Sequence, residues 1–98
     1  MKKLKLSHPG KLLVQDFIKP LGLTQYRVAK DAGIPHSSMT ALVKGQRGIS
    51  MNTAMRLGLY FGTTSEFWLN LQSRFDLRRA EKEQLPKLVR EVQPLASI

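Results

Sequence analysis

The stretch Thr24-Gln-Tyr-Arg-Val-Ala-Lys-Asp-Ala-Gly33-Ile-Pro-His-Ser-Ser-Met-Thr-Ala-Leu-Val-Lys44 carries two short helical patterns divided by a single turn. Thr24 is a good N-cap, its hydroxyl able to accept a first-turn N–H, and Val28, Ala29 and Ala32 form an inner stripe at helical spacing. Gly33 stops that helix, because a glycine takes the left-handed backbone of a helix end without a Cβ penalty. After Ile34 and Pro35, a second helix puts Met39, Leu42 and Val43 on one side and leaves His36, Ser37, Thr40, Ala41 and Lys44 facing outward, until Gly45 ends it. The small Ala29 lets the two helices approach closely at a steep angle, and Leu42 anchors the second in a core. Two helices so arranged form a helix-turn-helix, whose outward face is free to enter a major groove.

The same punctuation recurs on either side. Upstream, Pro9 suits the first turn of a helix over Lys11 to Ile18, with Leu13 and Phe17 on one face and Pro20 and Gly22 closing it. Downstream, Ser50 caps a helix in which Ala54, Leu57, Gly58 and Phe61 repeat at helical spacing up to Gly62. Thr63 or Thr64 then caps a fifth helix, Glu66 lying three residues after Thr63 as in a capping box, and its expected run reaches about Gln84. Phe67, Trp68, Leu71 and Phe75 are a heavy apolar load for a terminal helix. Core packing is the commoner role for aromatics at this spacing, yet part of the face is expected to serve dimerisation. Pro86 and Pro94 interrupt a weaker pattern, so residues 1–85 are expected to form the DNA-binding domain and 86–98 a loosely ordered tail. With no alternating strand pattern of useful length, the fold class is all-α: five helices with a long C-terminal one.

Composition agrees with a nucleic-acid partner. The 98 residues contain 16 Lys and Arg against 7 Asp and Glu, a formal charge of +9 that favours a polyanion. No acid occurs between Asp31 and Glu66, whereas Lys44, Arg47 and Arg56 all fall in that gap, so this segment can lie against phosphate without repulsion. Lys44, Arg47, Ser50 and Asn52 cluster around the turn after the second helix, a natural place for phosphate contacts through side chains and helix-start amides. Lys2, Lys3 and Lys5 read either as solvated charges or as a basic arm touching phosphate. The absence of cysteine excludes disulfides and thiolate chemistry. No apolar run is long enough for a signal-peptide core or a membrane span, and a cytoplasmic location is expected.

Two resemblances narrow the reading. Leu23-Thr-Gln-Tyr-Arg-Val-Ala-Lys-Asp-Ala-Gly33 resembles the first half of the phage-repressor-like helix-turn-helix. His8-Pro9-Gly10, Phe17, Lys19 to Gln25, Gly45 to Ser50, Thr53-Ala54, Arg56-Leu57, Tyr60 to Thr63 and Glu66 to Leu71 are similar to the HigA antitoxin family, over about His8 to Glu83. The run Phe67-Trp-Leu-Asn-Leu-Gln72, preceded by Tyr60-Phe-Gly62, is its most specific part. The resemblance implies a homodimeric repressor that binds a palindromic operator in its own toxin–antitoxin operon and neutralises a HigB-type, ribosome-dependent mRNA-cleaving toxin, with no cofactor. It further implies that Gln25 bonds a phosphate or adjacent base, that His36, Ser37, Thr40 and Ala41 make up the base-reading surface, and that Pro35 belongs to the DNA-binding set beside them. The common arginine-to-guanine contact is absent from that helix, which shifts weight onto phosphates and DNA shape.

Other classes have less support. His36 as a metal ligand has only His8 for company, and Ser37 and Ser38 lack a neighbouring base and orienting acid, so neither metal binding nor nucleophilic catalysis is expected. Arg78, Arg79 and Lys82, with Glu81 and Glu83, read as a solvated helix end.

Overall fold

The computed structural model describes residues 7–96, so the Lys2, Lys3 and Lys5 arm lies outside the described residues. Five helices follow one another. They are α1 (Pro9–Leu13, prolonged by a π-helical turn over Val14–Ile18), α2 (Gln25–Ala32), α3 (His36–Val43), α4 (Met51–Phe61) and α5 (Ser65–Glu91), with no strand among the described residues.

Four of the five starts are fixed by a side-chain cap. His8 Nδ1 accepts from Gly10 N (3.0 Å), Thr24 Oγ1 from Arg27 N (3.0 Å), Ser50 Oγ from Thr53 N (3.2 Å) and Thr64 Oγ1 from Phe67 N (3.1 Å). Each satisfies one amide that the helix itself leaves without a partner. Thr64 therefore caps α5, while Thr63 Oγ1 accepts the indole N–H of Trp68 at 2.7 Å. Between α2 and α3, Gly33 turns the chain at φ 70°, as the glycine reading required.

The core is one cluster in which Leu13, Val28, Met39, Leu42, Leu57 and Trp68 are fully buried. The stripes on α2, α3 and α4 all face it. Trp68 is surrounded by the rings of Phe17, Phe61 and Phe67, with centroids 4.8, 5.9 and 5.0 Å away. At 0% exposure Trp68 offers a partner no surface, and it is withdrawn from the expected dimer face: its indole is the centre of the core. Phe67 remains 38% exposed, and Leu71 and Phe75 are half-buried. Gly10 supplies the tightest join. A Cβ there would lie 1.9 Å from the Leu42 carbonyl oxygen, so α1 crosses α3 with backbone against backbone.

The end of α5 departs from expectation. The helix does not stop near Gln84 but continues through Pro86 to Glu91. Proline removes one i→i−4 hydrogen bond and crowds the preceding turn, but residues 82–96 are exposed throughout, and water can serve the carbonyl that loses its partner. The flanking leucines, lysines, glutamates and arginines are good helix formers, and Lys87 and Glu91 approach to 3.8 Å on the exposed surface. The result is a rod projecting from a small bundle. The molecule measures 54 × 31 × 24 Å with a radius of gyration of 16.9 Å, against about 13 Å for a compact chain of this length. None of the described helices is long and apolar enough to cross a membrane.

Candidate nucleic-acid interface

α3 is held from behind by Met39 and Leu42, and this leaves its other face bare. Pro35, His36 and Ser37 are exposed and Thr40 and Ala41 half-exposed, one turn apart along the axis. α3 starts without a side-chain cap, at Pro35, whose backbone is extended (φ −53°, ψ 138°). Its first amides therefore stay free to meet an anion.

Gln25, in the first turn of α2, donates from Nε2 to Thr40 Oγ1 at 3.0 Å. This bond ties the two helices at the expected reading face and aims both side chains. With one amide N–H engaged, Gln25 keeps its second N–H and its oxygen for other partners, and Thr40 keeps its methyl and its own hydroxyl proton. Tyr26, which sequence reasoning did not select, is 63% exposed and lies edge-on to His36 with ring centroids 6.0 Å apart. It extends the face toward α2. Its position after Gln25 in an exposed first turn was the available signal.

The phosphate candidates gather at one end. Lys44, Arg47, Ser50 and Asn52 are all exposed. Arg47 reaches back to α3, its Nη1 donating to Ser38 Oγ at 2.7 Å, which fixes the guanidinium beside the reading helix instead of leaving it free in solvent. Ser50 and Asn52 flank the start of α4, where free amides and the helix dipole favour an anion. Asn52 Oδ1 accepts from Arg56 Nε at 2.7 Å, turning its amide N–H groups to donate elsewhere.

Arg56 proves to be structural. Its Nη1 donates to the Ala32 carbonyl at 3.2 Å, closing the C-terminal end of α2, where an arginine is electrostatically welcome. Arg27 is likewise engaged, its Nε 2.7 Å from Asp31 Oδ2, and Tyr60 Oη donates to the same oxygen at 3.2 Å. The hydrogen bond from Arg27 holds the Asp31 carboxyl below the usual carboxylate range, with a further contribution from Tyr60. The Tyr60 phenol is pushed up by burial and by Asp31. The acid of α2 is thus paired, while Asp76 of α5 lies beside the loop that carries Arg47, engaged with Gln72. Lys44 and Arg47 are exposed around the α3–α4 turn.

A second residue that sequence reasoning missed is Gln72 on α5. Its Oε1 accepts from Ile49 N at 2.9 Å and its Nε2 donates to Asp76 Oδ1 at 2.9 Å, so it grips the loop between α3 and α4 from behind. It stands in the run Phe67 to Gln72 that carries the family resemblance, but spacing along α5 could not disclose a partner 23 residues away. Among the described residues no group of three or more His, Asp or Glu is placed to hold a metal ion.

Comparison with known proteins places this geometry. The family described as "Helix-turn-helix" matches residues 14–69, which span α2, α3, α4 and most of the aromatic core. Virulence-associated protein I of Dichelobacter nodosus is 41% identical over 76 residues, covering 78% of this chain and 70% of that protein. The uncharacterised HTH-type transcriptional regulator YbaQ of Escherichia coli (strain K12) is 35% identical over 77 residues, covering 79% and 68% respectively. Among solved structures, Pseudomonas aeruginosa antitoxin HigA with the higBA promoter is similar over 94% of this chain and 100% of that one, with a TM-score of 0.90 and 33% identity.

Proposed function

Because the chain belongs to the helix-turn-helix family of HigA antitoxins and VapI-like proteins, we propose that it is an antitoxin that represses its own toxin–antitoxin operon as a homodimer and neutralises a HigB-type mRNA-cleaving toxin. The observation that carries the DNA half is the exposed α3 face, locked by Gln25 and Thr40 and bordered by Lys44 and Arg47 in a segment that holds no acid between Asp31 and Glu66. A similar fold meets promoter DNA in the Pseudomonas aeruginosa antitoxin HigA structure.

In this reading His36, Ser37, Thr40 and Ala41 touch base edges. Serine reaches most bases, and Ala41 and the Thr40 methyl suit a thymine methyl. Lys44, Arg47, Ser50 and Asn52 take phosphates and set the register without specifying sequence. A dimer would place two such helices in successive major grooves, about 34 Å apart on a palindromic site. The partly exposed Phe67, Leu71 and Phe75, together with a second exposed apolar patch of Leu85, Leu88 and Val89 near the end of α5, support α5 as the pairing element, since apolar side chains left open along one helix suit a partner. With a chain charge of +9, toxin capture relies on apolar surface and a few acids more than on net attraction.

Two measurements test the two halves. A mobility shift with the DNA upstream of the operon should show a retarded complex that scrambled duplexes do not compete away; equal binding to scrambled DNA refutes the sequence-specific reading. Co-expression with the product of the adjoining reading frame should restore growth and allow co-purification. The name of YbaQ, a transcriptional regulator, supports a second reading: a stand-alone regulator without a cognate toxin. Operator binding with no growth rescue and no co-purifying partner would favour it.

A further inference from the structure

The loop from Gly45 to Ser50 carries Arg47 and delivers the chain into the start of α4; its first residues are bonded to the end of α3, and its later backbone is gripped from α5. Gln72 Oε1 accepts the Ile49 amide at 2.9 Å, and its Nε2 is braced by Asp76 at 2.9 Å. The fit is close on the loop side as well. A Cβ on Gly48 would stand 2.9 Å from Gln72 Cδ, so the loop backbone lies directly on the amide plane. Ile49 is buried and immediately precedes Ser50, the cap of α4, while Arg47 lies two residues upstream with its guanidinium on Ser38. One side chain outside the helix-turn-helix therefore grips the backbone between the arginine and the start of α4.

We propose that Gln72 is a positioning residue for DNA binding: from α5 it holds the Gly45–Ser50 loop so that Arg47 and the start of α4 meet the phosphate backbone together. The inference rests on the DNA-binding reading above. Gln72 is not itself a contact. It acts through the Ile49 amide, so its removal should register as lost phosphate contacts and leave base preference alone.

The test uses the full chain, the duplex upstream of its operon and a scrambled duplex, with affinities measured from 50 to 200 mM salt. Gln72→Met keeps the length and removes both hydrogen bonds. It should weaken both duplexes about tenfold at physiological salt and flatten the dependence of log affinity on log salt by up to about two, as the loss of one phosphate contact per protomer of a dimer would. Gly48→Ala approaches the same contact from the loop side, pushing on the flexible Gln72 amide, and should shift the slope in the same direction. In an Arg47→Ala background, Gln72→Met should add little, because the contact it positions is already gone. Amide exchange supplies a readout without DNA: Ile49 should exchange faster in Gln72→Met, while the amides of α2 and α3 keep their protection. An unchanged salt slope in Gln72→Met, or losses that simply add to those of Arg47→Ala, overturns the proposal while DNA binding stands. A wild-type chain that binds neither duplex defeats the DNA-binding reading itself.

Discussion

Removing single cations around the reading helix should separate those that meet DNA from those that hold the fold. Sequence alone puts Lys44, Arg47 and Arg56 in the acid-free gap and, from their place after the second helix, picks the first two for phosphates. The structure divides them: Arg56 caps the Ala32 carbonyl and pairs with Asn52, whereas Lys44 and Arg47 sit exposed beside α3. In a dimer, two such cations per protomer give about four phosphate contacts, hence a log–log salt slope of about −3.6 and a loss of affinity of roughly 150-fold between 50 and 200 mM salt. Lys44→Ala or Arg47→Ala removes two contacts per dimer and should halve that slope to about −1.8, weakening operator and scrambled duplexes alike. Arg56→Ala should leave the slope near −3.6. Its effect should fall on stability, where an arginine bonded to a helix-end carbonyl and a side-chain amide contributes about 1 kcal/mol. Fluorescence anisotropy with a labelled duplex across a salt series, alongside thermal unfolding, measures both quantities. If Arg56→Ala flattens the slope as much as Arg47→Ala does, the division of roles is wrong.

Replacing Gly10 by Ala should destabilise by about 3 kcal/mol or more, because the obstacle at 1.9 Å is the Leu42 carbonyl and not a movable side chain; a melting temperature within a few degrees of wild type would contradict this. His8 gives a pH signature: burial lowers its pKa and its Nδ1 must stay unprotonated to accept from Gly10, so the unfolded chain binds the proton more readily. Stability should therefore be level above the ordinary histidine pKa of about 6.5 and fall as the pH drops below it. His8→Asn, which keeps a capping oxygen, should flatten that fall in urea titrations. Thr40→Ala removes the acceptor of Gln25 and a half-exposed methyl of the proposed reading face, and a panel of operator variants should show altered preference under α3 with little change in the salt slope.

The fold was legible where one residue type settles a local question. Thr24, Gly33, Gly45, Ser50 and Gly62 bound the helices in the sequence much as they do in three dimensions, because caps and left-handed turns are short-range chemistry. The apolar stripes named most of the helical core for the same reason, helical spacing deciding which side chains share a face, whereas Ile34 and Ile49 are buried from the turns and follow no such spacing. Pro86 misled because a proline ends a helix that must pack, and nothing in one-dimensional spacing tells that α5 has by then left the bundle.

By itself, the sequence determined an all-helical chain with a helix-turn-helix, an acid-free cationic segment after it and an outward face from His36 to Ala41, since propensity, capping and charge are written locally. Only the tertiary structure decided which residues are available. It buried Trp68 inside a cage of aromatic rings and engaged Arg56 and Arg27 with their own neighbours. It also set Gln72 against the loop that carries Arg47. Each of these depends on a contact between residues well apart in the chain or on how a side chain's hydrogen bonds are shared. Such contacts are made only when packing brings the groups within about 3 Å of each other.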